Sequence, residues 1–256
     1  MFTHIWKKEI RGELYTWKSL LWLLISSLLF SVTCYLLLTN KELSLLDQTE
    51  LLWLLGKVII GVALLIVIVD ASSIITIEFE KETAESLFIS PVSLTDFILG
   101  KLLAVLTLWL AIFVVSIPYI IVASAGSNLA IPFLLYTMLL GTLGVLGFTL
   151  LVFAISLFFR SSKNTLTTSL IILLGLSIPA VFSTTLKNDV VSQIISRANP
   201  VDNIFSSLDN ILVDYQTSLI QNWQFIVPLV AFCLLALIIL LFAMRRFQKH
   251  GVIQSE

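Results

Sequence analysis

Six long apolar runs constrain this chain more than any other feature of the sequence. A helix needs roughly 20 apolar residues to cross the hydrocarbon layer of a membrane. Backbone polar groups find no water there, which favours helices, and the strict alternation of barrel strands is absent. The sequence therefore predicts an all-α integral membrane protein, a single domain over 1–256, with six transmembrane helices at 20–38, 52–75, 97–122, 132–159, 166–182 and 225–244.

Lysine and arginine give the predicted helices an orientation. Charged residues make up only 12% of the chain and hydrophobic ones 58%, so the position of each charge is informative. With a cytoplasmic N-terminus, most of the basic residues fall on the inner side, as the positive-inside rule requires. Lys41, Lys187 and Arg197 would lie outside, and Lys57 near the outer end of the second helix could snorkel. Both termini are then expected in the cytoplasm.

Residues 1–18 show the pattern of an amphipathic interfacial helix. Apolar residues recur at helical spacing and basic residues fall elsewhere, which predicts a helix along the inner membrane surface. A frayed tail is the alternative. The first apolar run has no small-residue cleavage site, so we interpret it as a retained helix. Cys34 and Cys233 lie in separate runs without a metal or redox motif and are interpreted as packing residues.

Residues 76–97, between the second and third runs, form a polar segment predicted to be cytoplasmic. The stretch 78–90 contains no proline or glycine and is rich in Glu, Lys and Leu, which predicts a short helix that Pro91 ends. Ser93 is expected to cap the following helix, with Asp96 three residues later completing a capping-box pair. This pattern indicates a short rigid element rather than a solvated loop.

The order of residues in this segment resembles that of ABC-2 type permeases. The chain has Glu78-x-Glu80-x-x-Thr83-x-Glu85-x-Leu87, then Ser90-Pro91-Val92-Ser93, then Gly100-Lys101. The family pattern is E-x-E-x-G-T-x-E-x-L-x-x-x-P-V-S with a later G-K or A-K. Glu82 stands where the family commonly has glycine, so the backbone conformation of the family need not hold there.

The resemblance implies a coupling helix that docks on a separate ABC ATPase subunit. The residues that would carry this coupling are Glu78, Glu80, Glu82, Thr83, Glu85, Leu87, Phe88 and Pro91. It also implies a second permease subunit, identical or different, and a substrate path at the interface of the two. The expected location is the plasma or inner membrane of a bacterium, surrounded by lipid.

The chain shows no catalytic motif of its own. A phosphate-binding loop of the GxxxxGK[ST] type is absent, and no Ser-His-Asp or HExxH arrangement is present. We therefore expect a permease subunit that is not an enzyme and binds no cofactor or metal, with ATP and Mg on the partner subunit. A net charge of −1 and the lack of an arginine-rich patch give no indication of nucleic-acid binding.

The predicted function is ATP-driven export of a hydrophobic or amphiphilic substrate, such as a drug, a peptide antibiotic or a lipid. The alternative from another class is a six-span membrane anchor that recruits a cytosolic partner through the same acidic segment without transport. An intramembrane enzyme would need polar catalytic groups at mid-membrane, which the sequence does not supply.

Asp70 is the only carboxylate well inside a predicted span, and Ser73 and Thr76 follow it towards the cytoplasm. Intramembrane ionisable residues are functional candidates, so these three residues are a possible translocation path. The competing interpretation is that Asp70 makes an interhelical hydrogen bond or contacts interfacial water. In the fourth run, Gly141, Gly144 and Gly147 are interpreted as close-packing positions between helices.

Residues 183–222 form the largest predicted outer segment. Two amphipathic patches flank Asn199-Pro200, and Asp202 is a candidate N-cap for the second patch. The segment resembles the short outer helices of ABC-2 permeases, which partly re-enter the bilayer. It carries no cluster of His, Cys, Met or Arg, which favours an apolar or amphiphilic cargo over a metal, haem or polyanion.

Overall fold

The protein is described by a computed structural model that covers residues 16–39, 48–80, 93–125, 127–186, 197–212 and 222–251. Within these ranges the chain is all-helical, and they contain no β-strand. Seven helices follow one another: α1 Trp17–Thr39, α2 Gln48–Glu80, α3 Leu94–Ala123, α4 Ala130–Phe159, α5 Ser162–Leu186, α6 Pro200–Leu212 and α7 Trp223–Gly251. The predicted all-α class is thus confirmed for the part of the chain that the structure describes.

Five of these helices are long and apolar enough to cross a membrane: α1, α2, α3, α4 and α7. Each contains one of the predicted apolar runs. The remaining run, 166–182, lies within α5, which is a 25-residue helix but is not among the five candidate spans. The amphipathic helix predicted at 1–18 falls mostly outside the described residues, since α1 begins at Trp17.

The long helices alternate in direction and give the bundle two distinct ends. The end that holds Lys18, Lys101 and Arg160 is called the basic end below. The opposite end holds the start of α2 and the end of α3, where Gln48 Nε2 donates to the Ala125 carbonyl oxygen at 2.8 Å. Helices α2 and α4 are the most buried of the candidate spans, and α1 and α7 are the most exposed.

Helix α6 enters the bundle instead of lying on its surface. It packs against α2, α4, α5 and α7, and most of its residues are buried. Near its start, Ile204 contacts Gly144, at the middle of α4; one turn later, Leu208 contacts Gly56, closer to the opposite end of the bundle. Helix α6 therefore begins near mid-depth and runs outward to the opposite end. In its described part, the outer segment therefore packs among the long helices and not on their outside.

The start of α6 corrects one expectation about capping. Asp202 lies inside the first turn of α6 and is not its N-cap. Asn199 takes that role, because its Oδ1 accepts a hydrogen bond from the Val201 backbone N–H at 3.0 Å. Pro200 then occupies the first helical position, where its missing N–H costs no hydrogen bond. The sequence Asn-Pro thus fixes the helix start.

The glycines of α4 pack against three different elements, as the small-residue pattern indicated. A Cβ atom built on Gly141 would lie 2.4 Å from Trp109 of α3, and one on Gly147 would lie 2.7 Å from Phe232 of α7. The Trp109 indole N–H donates to Thr142 Oγ1 at 3.0 Å and fixes its ring beside Gly141. Both cysteines are free and buried, which agrees with their interpretation as packing residues.

Candidate functional site

The start of α3 shows the cap that the sequence predicted. Ser93 has an extended backbone, and its Oγ accepts a hydrogen bond from the Asp96 backbone N–H at 3.1 Å. The Ser93 hydroxyl also donates to Asp96 Oδ2 at 2.7 Å. A carboxylate in the first turn suits the positive end of the helix dipole. The polar segment therefore ends at a fixed point, the first turn of α3.

At the other end of the polar segment, α2 extends past its apolar run to Glu80, so Glu78 and Glu80 lie on its last turn. Glu78 Oε1 forms an ion pair with Lys101 Nζ of α3 at 2.7 Å. The side chain of Lys101 is 8% exposed and that of Glu78 is 26% exposed, so the pair is largely shielded from water. Lys101 also lies 5.4 Å from the centre of the Phe97 ring.

Glu80 joins the same turn of α2 to the start of α5. Its Oε1 accepts a hydrogen bond from the Ser162 backbone N–H at 2.7 Å. Ser162 is the first residue of α5, where backbone N–H groups have no partner within the helix and the dipole is positive. Glu80 thus acts as a cap supplied by another helix. We call Glu78, Glu80, Lys101 and Ser162 the basic-end clamp.

Aromatic and basic side chains extend these contacts to α4 and α7. Phe79 and Phe247 have ring centres 5.3 Å apart, and the Arg160 guanidinium lies 5.0 Å from the Phe247 ring. Arg160 adopts a left-handed backbone conformation, with φ at 51°, at the sharp corner between α4 and α5. The last turn of α2 is therefore in contact with α3, α5 and α7 at one level of the bundle.

The remaining residues predicted to couple the chain to an ATPase lie outside the described residues: Glu82, Thr83, Glu85, Leu87, Phe88 and Pro91. The structure does show how both flanks of their segment are held, by the clamp before it and the Ser93 cap after it. Sequence reasoning included Lys101 only as part of a motif and did not assign Ser162 a role. Neither residue has a local signal for its partner, because both contacts join separate helices.

The predicted translocation path lies on α2, just before the clamp, at Asp70, Ser73 and Thr76. Asp70 Oδ1 pairs with Lys18 Nζ of α1 at 2.7 Å, and Lys18 also donates to Ser73 Oγ at 2.8 Å. The Asp70 side chain is 2% exposed, whereas that of Lys18 is 45% exposed. Thr76 is buried and donates to the Ser72 carbonyl oxygen of its own helix at 2.6 Å. These contacts favour a link between α1 and α2 over an open polar path.

Chemically, the described contacts hold and orient helices. Within the described residues, no group of three or more His, Cys, Asp or Glu side chains could hold a metal ion. The contacts at the basic end are instead charge-assisted hydrogen bonds between helices, which are shorter and stronger than neutral ones. Such contacts can transmit a displacement of the polar segment to several helices together.

The long apolar helices define a multi-pass membrane protein, with polar interhelical contacts concentrated at its basic end. Comparison with protein families then identifies the class, because a family model described as "ABC-2 family transporter protein" matches residues 38–242. This match covers most of the chain, so the protein belongs to the ABC-2 transporter family. The membrane domain of this family lacks an ATPase site, and membership implies an ATPase subunit as partner. No match among curated proteins is found.

Proposed function

We propose that this chain is the permease subunit of an ATP-driven exporter. It couples ATP binding and hydrolysis on a separate ATPase subunit, which holds ATP and Mg, to export of a hydrophobic or amphiphilic substrate. Two permease subunits, identical or different, pair with two ATPase subunits in a bacterial plasma or inner membrane. The chain crosses the membrane six times, counting α5, with the basic end and both termini in the cytoplasm.

The observation that carries this proposal is the basic-end clamp. The polar segment that resembles the coupling helix leaves α2 directly after Glu80, which bonds to the start of α5. Two residues earlier, Glu78 is paired with Lys101 of α3. A displacement of the segment therefore acts on three helices at once. A simple recruiting loop on a membrane anchor has no need for such connections.

ATP supplies the driving force by binding more tightly to one arrangement of the complex than to the other. When ATP closes the two ATPase subunits, the coupling segments move with them, and the clamp passes this motion to α2, α3 and α5. The helices then change from inward to outward access. This chain provides the connection, and the partner subunit provides the chemistry.

The experiment measures docking of the ATPase subunit separately from transmission of its motion to the helices. The chain is expressed with its neighbouring genes, purified in mild detergent, and assayed for a co-purifying ATPase. In Glu85→Arg, reversal of charge on the coupling segment is expected to abolish retention of the ATPase. In Lys101→Met, the ATPase should be retained, but the ATP-dependent change at the opposite end should be lost. That change is measured as maleimide labelling of Trp223→Cys in a background where Cys34 and Cys233 are replaced by serine.

Glu50→Gln, in the first turn of α2 at the opposite end, is the matched control and should behave as the parent does. Purification without an ATPase, or with a partner that does not hydrolyse ATP, would favour the membrane-anchor alternative. Retention of the full ATP-dependent labelling change in Lys101→Met would show that the clamp does not transmit the motion.

A further inference from the structure

Arg197 is an exposed basic residue, and its backbone lies close to the middle of the bundle. Its depth follows from its neighbours. Asn203 Nδ2 donates to the Arg197 carbonyl oxygen at 2.8 Å, and Asn199 Nδ2 donates to the carbonyl oxygen of Leu176 at 2.6 Å. Leu176 lies just past the middle of α5. The charge pattern assigned Arg197 to an outer segment, but its backbone lies at the depth where α6 begins.

The backbone around Arg197 is held by buried amides. Asn203 Nδ2 donates both to Arg197 and, at 2.8 Å, to the Asn199 carbonyl oxygen. The side chains of Asn199 and Asn203 are buried, and Asn199 also caps α6. Asparagine amides at this depth need full hydrogen bonding, since an unsatisfied polar group in an apolar interior costs about 1–3 kcal/mol. Both Nδ2 groups have acceptors here, and the bond from Asn203 fixes the position of the Arg197 backbone.

A charge at this depth requires an explanation. An arginine at the centre of a membrane helix costs at least about 2.5–3.5 kcal/mol when it faces lipid. The half-thickness of the hydrocarbon layer is about 15 Å, longer than an arginine side chain, so snorkelling from mid-depth does not bring the guanidinium fully into water. The exposed surface of α5 around this level is apolar, as Ile171, Leu174 and Ile178 show. Arg197 must therefore face a hydrated space or an anionic group.

Two buried charged side chains of the long helices, Asp70 and Lys101, are already paired. Asp70 is bound to Lys18, and Lys101 is bound to Glu78. No ion pair joins Arg197 to any residue in the part of the chain that the structure describes. Its guanidinium carries five donors in a planar fork that matches a phosphate or carboxylate.

Resting on the proposed exporter function, we propose that Arg197 binds the anionic headgroup of the cargo. The cargo is then an amphiphile with a phosphate or carboxylate group. Its apolar part lies in the membrane, and its headgroup reaches the guanidinium beside the start of α6. Because α6 contacts α2, the helix that carries the clamp, a bound headgroup lies next to an element that ATP-driven motion reaches.

The test uses the permease–ATPase complex in nanodiscs of phosphatidylcholine. Binding of radiolabelled dodecyl phosphate, dodecanoate and inorganic phosphate is measured, with empty nanodiscs as background. The first two probes should bind, and inorganic phosphate should bind at least tenfold more weakly. Arg197→Gln should weaken binding of the anionic amphiphiles roughly tenfold to a hundredfold, the loss expected for charged hydrogen bonds. Arg197→Lys should retain part of the affinity.

Arg245→Gln, an exposed arginine at the basic end, is the matched control and should bind as wild type. Equal binding by Arg197→Gln and wild type would overturn the proposal, and so would equal affinity for inorganic phosphate. Dissociation of the permease pair in Arg197→Gln would instead indicate that Arg197 binds an acidic residue of the second subunit. The same preparation is also assayed for the co-purifying ATPase. Absence of the ATPase would refute the exporter function, whereas loss of the difference between wild type and Arg197→Gln would refute only headgroup binding by Arg197.

Discussion

The contact between Gly144 and Ile204 offers the most direct test of where α6 lies. A Cβ atom on Gly144 would come 2.8 Å from Ile204 Cδ1, whereas ordinary contacts lie at 3.4–4 Å. Ile204 is fully buried, so its end can move only by displacing other side chains. Overpacking of this kind costs about 1–3 kcal/mol. Replacing glycine by alanine within a helix returns about 1 kcal/mol of helix propensity.

Gly61 provides the matched control, because nothing lies within 4 Å of a Cβ atom built there. Gly61→Ala should therefore be neutral or stabilising. Gly144→Ala should be less stable than Gly61→Ala by about 1–3 kcal/mol, the cost of the overpacked contact. The measurement is unfolding in mixed micelles with increasing dodecyl sulfate, followed by tryptophan fluorescence.

Ile204→Val removes the Cδ1 atom and completes a double-mutant cycle. In the parent it should cost about 0.5–1.5 kcal/mol. In the Gly144→Ala background it should cost little or should stabilise, since it relieves the overpacking, which gives a coupling energy of about 1 kcal/mol. Additive effects, or identical results for Gly144→Ala and Gly61→Ala, would refute the placement of the start of α6 beside the middle of α4.

Two further predictions concern the basic end. Ser93→Ala should lower the free energy of unfolding by about 1 kcal/mol through loss of the α3 cap, and Ser93→Thr should restore most of it; equal thermal midpoints for the parent and Ser93→Ala would contradict the capping role. Lys18→Met should destabilise more than Asp70→Asn, because it leaves a buried carboxylate, whereas the half-exposed Lys18 can be hydrated when Asp70 is neutralised. Thermal midpoints of both variants and of the double variant test this, and the opposite order would show that Asp70 does not depend on Lys18.

The helices were predictable because membrane spans have a simple sequence pattern. Each predicted run lies within an observed helix, because the length and hydropathy of such a run are set by the thickness of the hydrocarbon layer. The extension of α2 to Glu80 was not foreseen. Two glutamates at the end of an apolar run look like the start of a separate polar element. They continue the helix because Lys101 and Ser162, distant in sequence, satisfy their carboxylates.

The position of α6 was less accessible to sequence reasoning. An amphipathic patch such as the one with Ile204 and Leu208 predicts that one face of the helix is buried. The same patch occurs on a helix that lies on the surface and on one inserted among other helices. What distinguishes them here is a set of long-range contacts, including the bond from Asn199 to Leu176. Asparagine is also common in exposed turns, so its presence gave no sign of burial.

Helix α2 connects the two regions on which the functional proposals rest. It is 33 residues long, about 50 Å at the rise of an α-helix, and contains no proline. Its basic end carries the clamp. Near its other end, the Trp53 indole N–H donates to the Phe205 carbonyl oxygen at 3.1 Å, and Gly56 contacts Leu208. Both partners belong to α6.

Two of the helices that surround α6, α5 and α7, differ from α2 in their capacity to bend. Pro179 in α5 and Pro228 in α7 both lie in the part of their helix nearer the opposite end, and each removes a backbone hydrogen bond there. A displacement at the clamp is therefore carried by the proline-free α2 to α6, and two of the neighbours of α6, α5 and α7, can bend at that level. Since Arg197 is bonded through its backbone to Asn203 of α6, the same displacement would change the surroundings of its guanidinium.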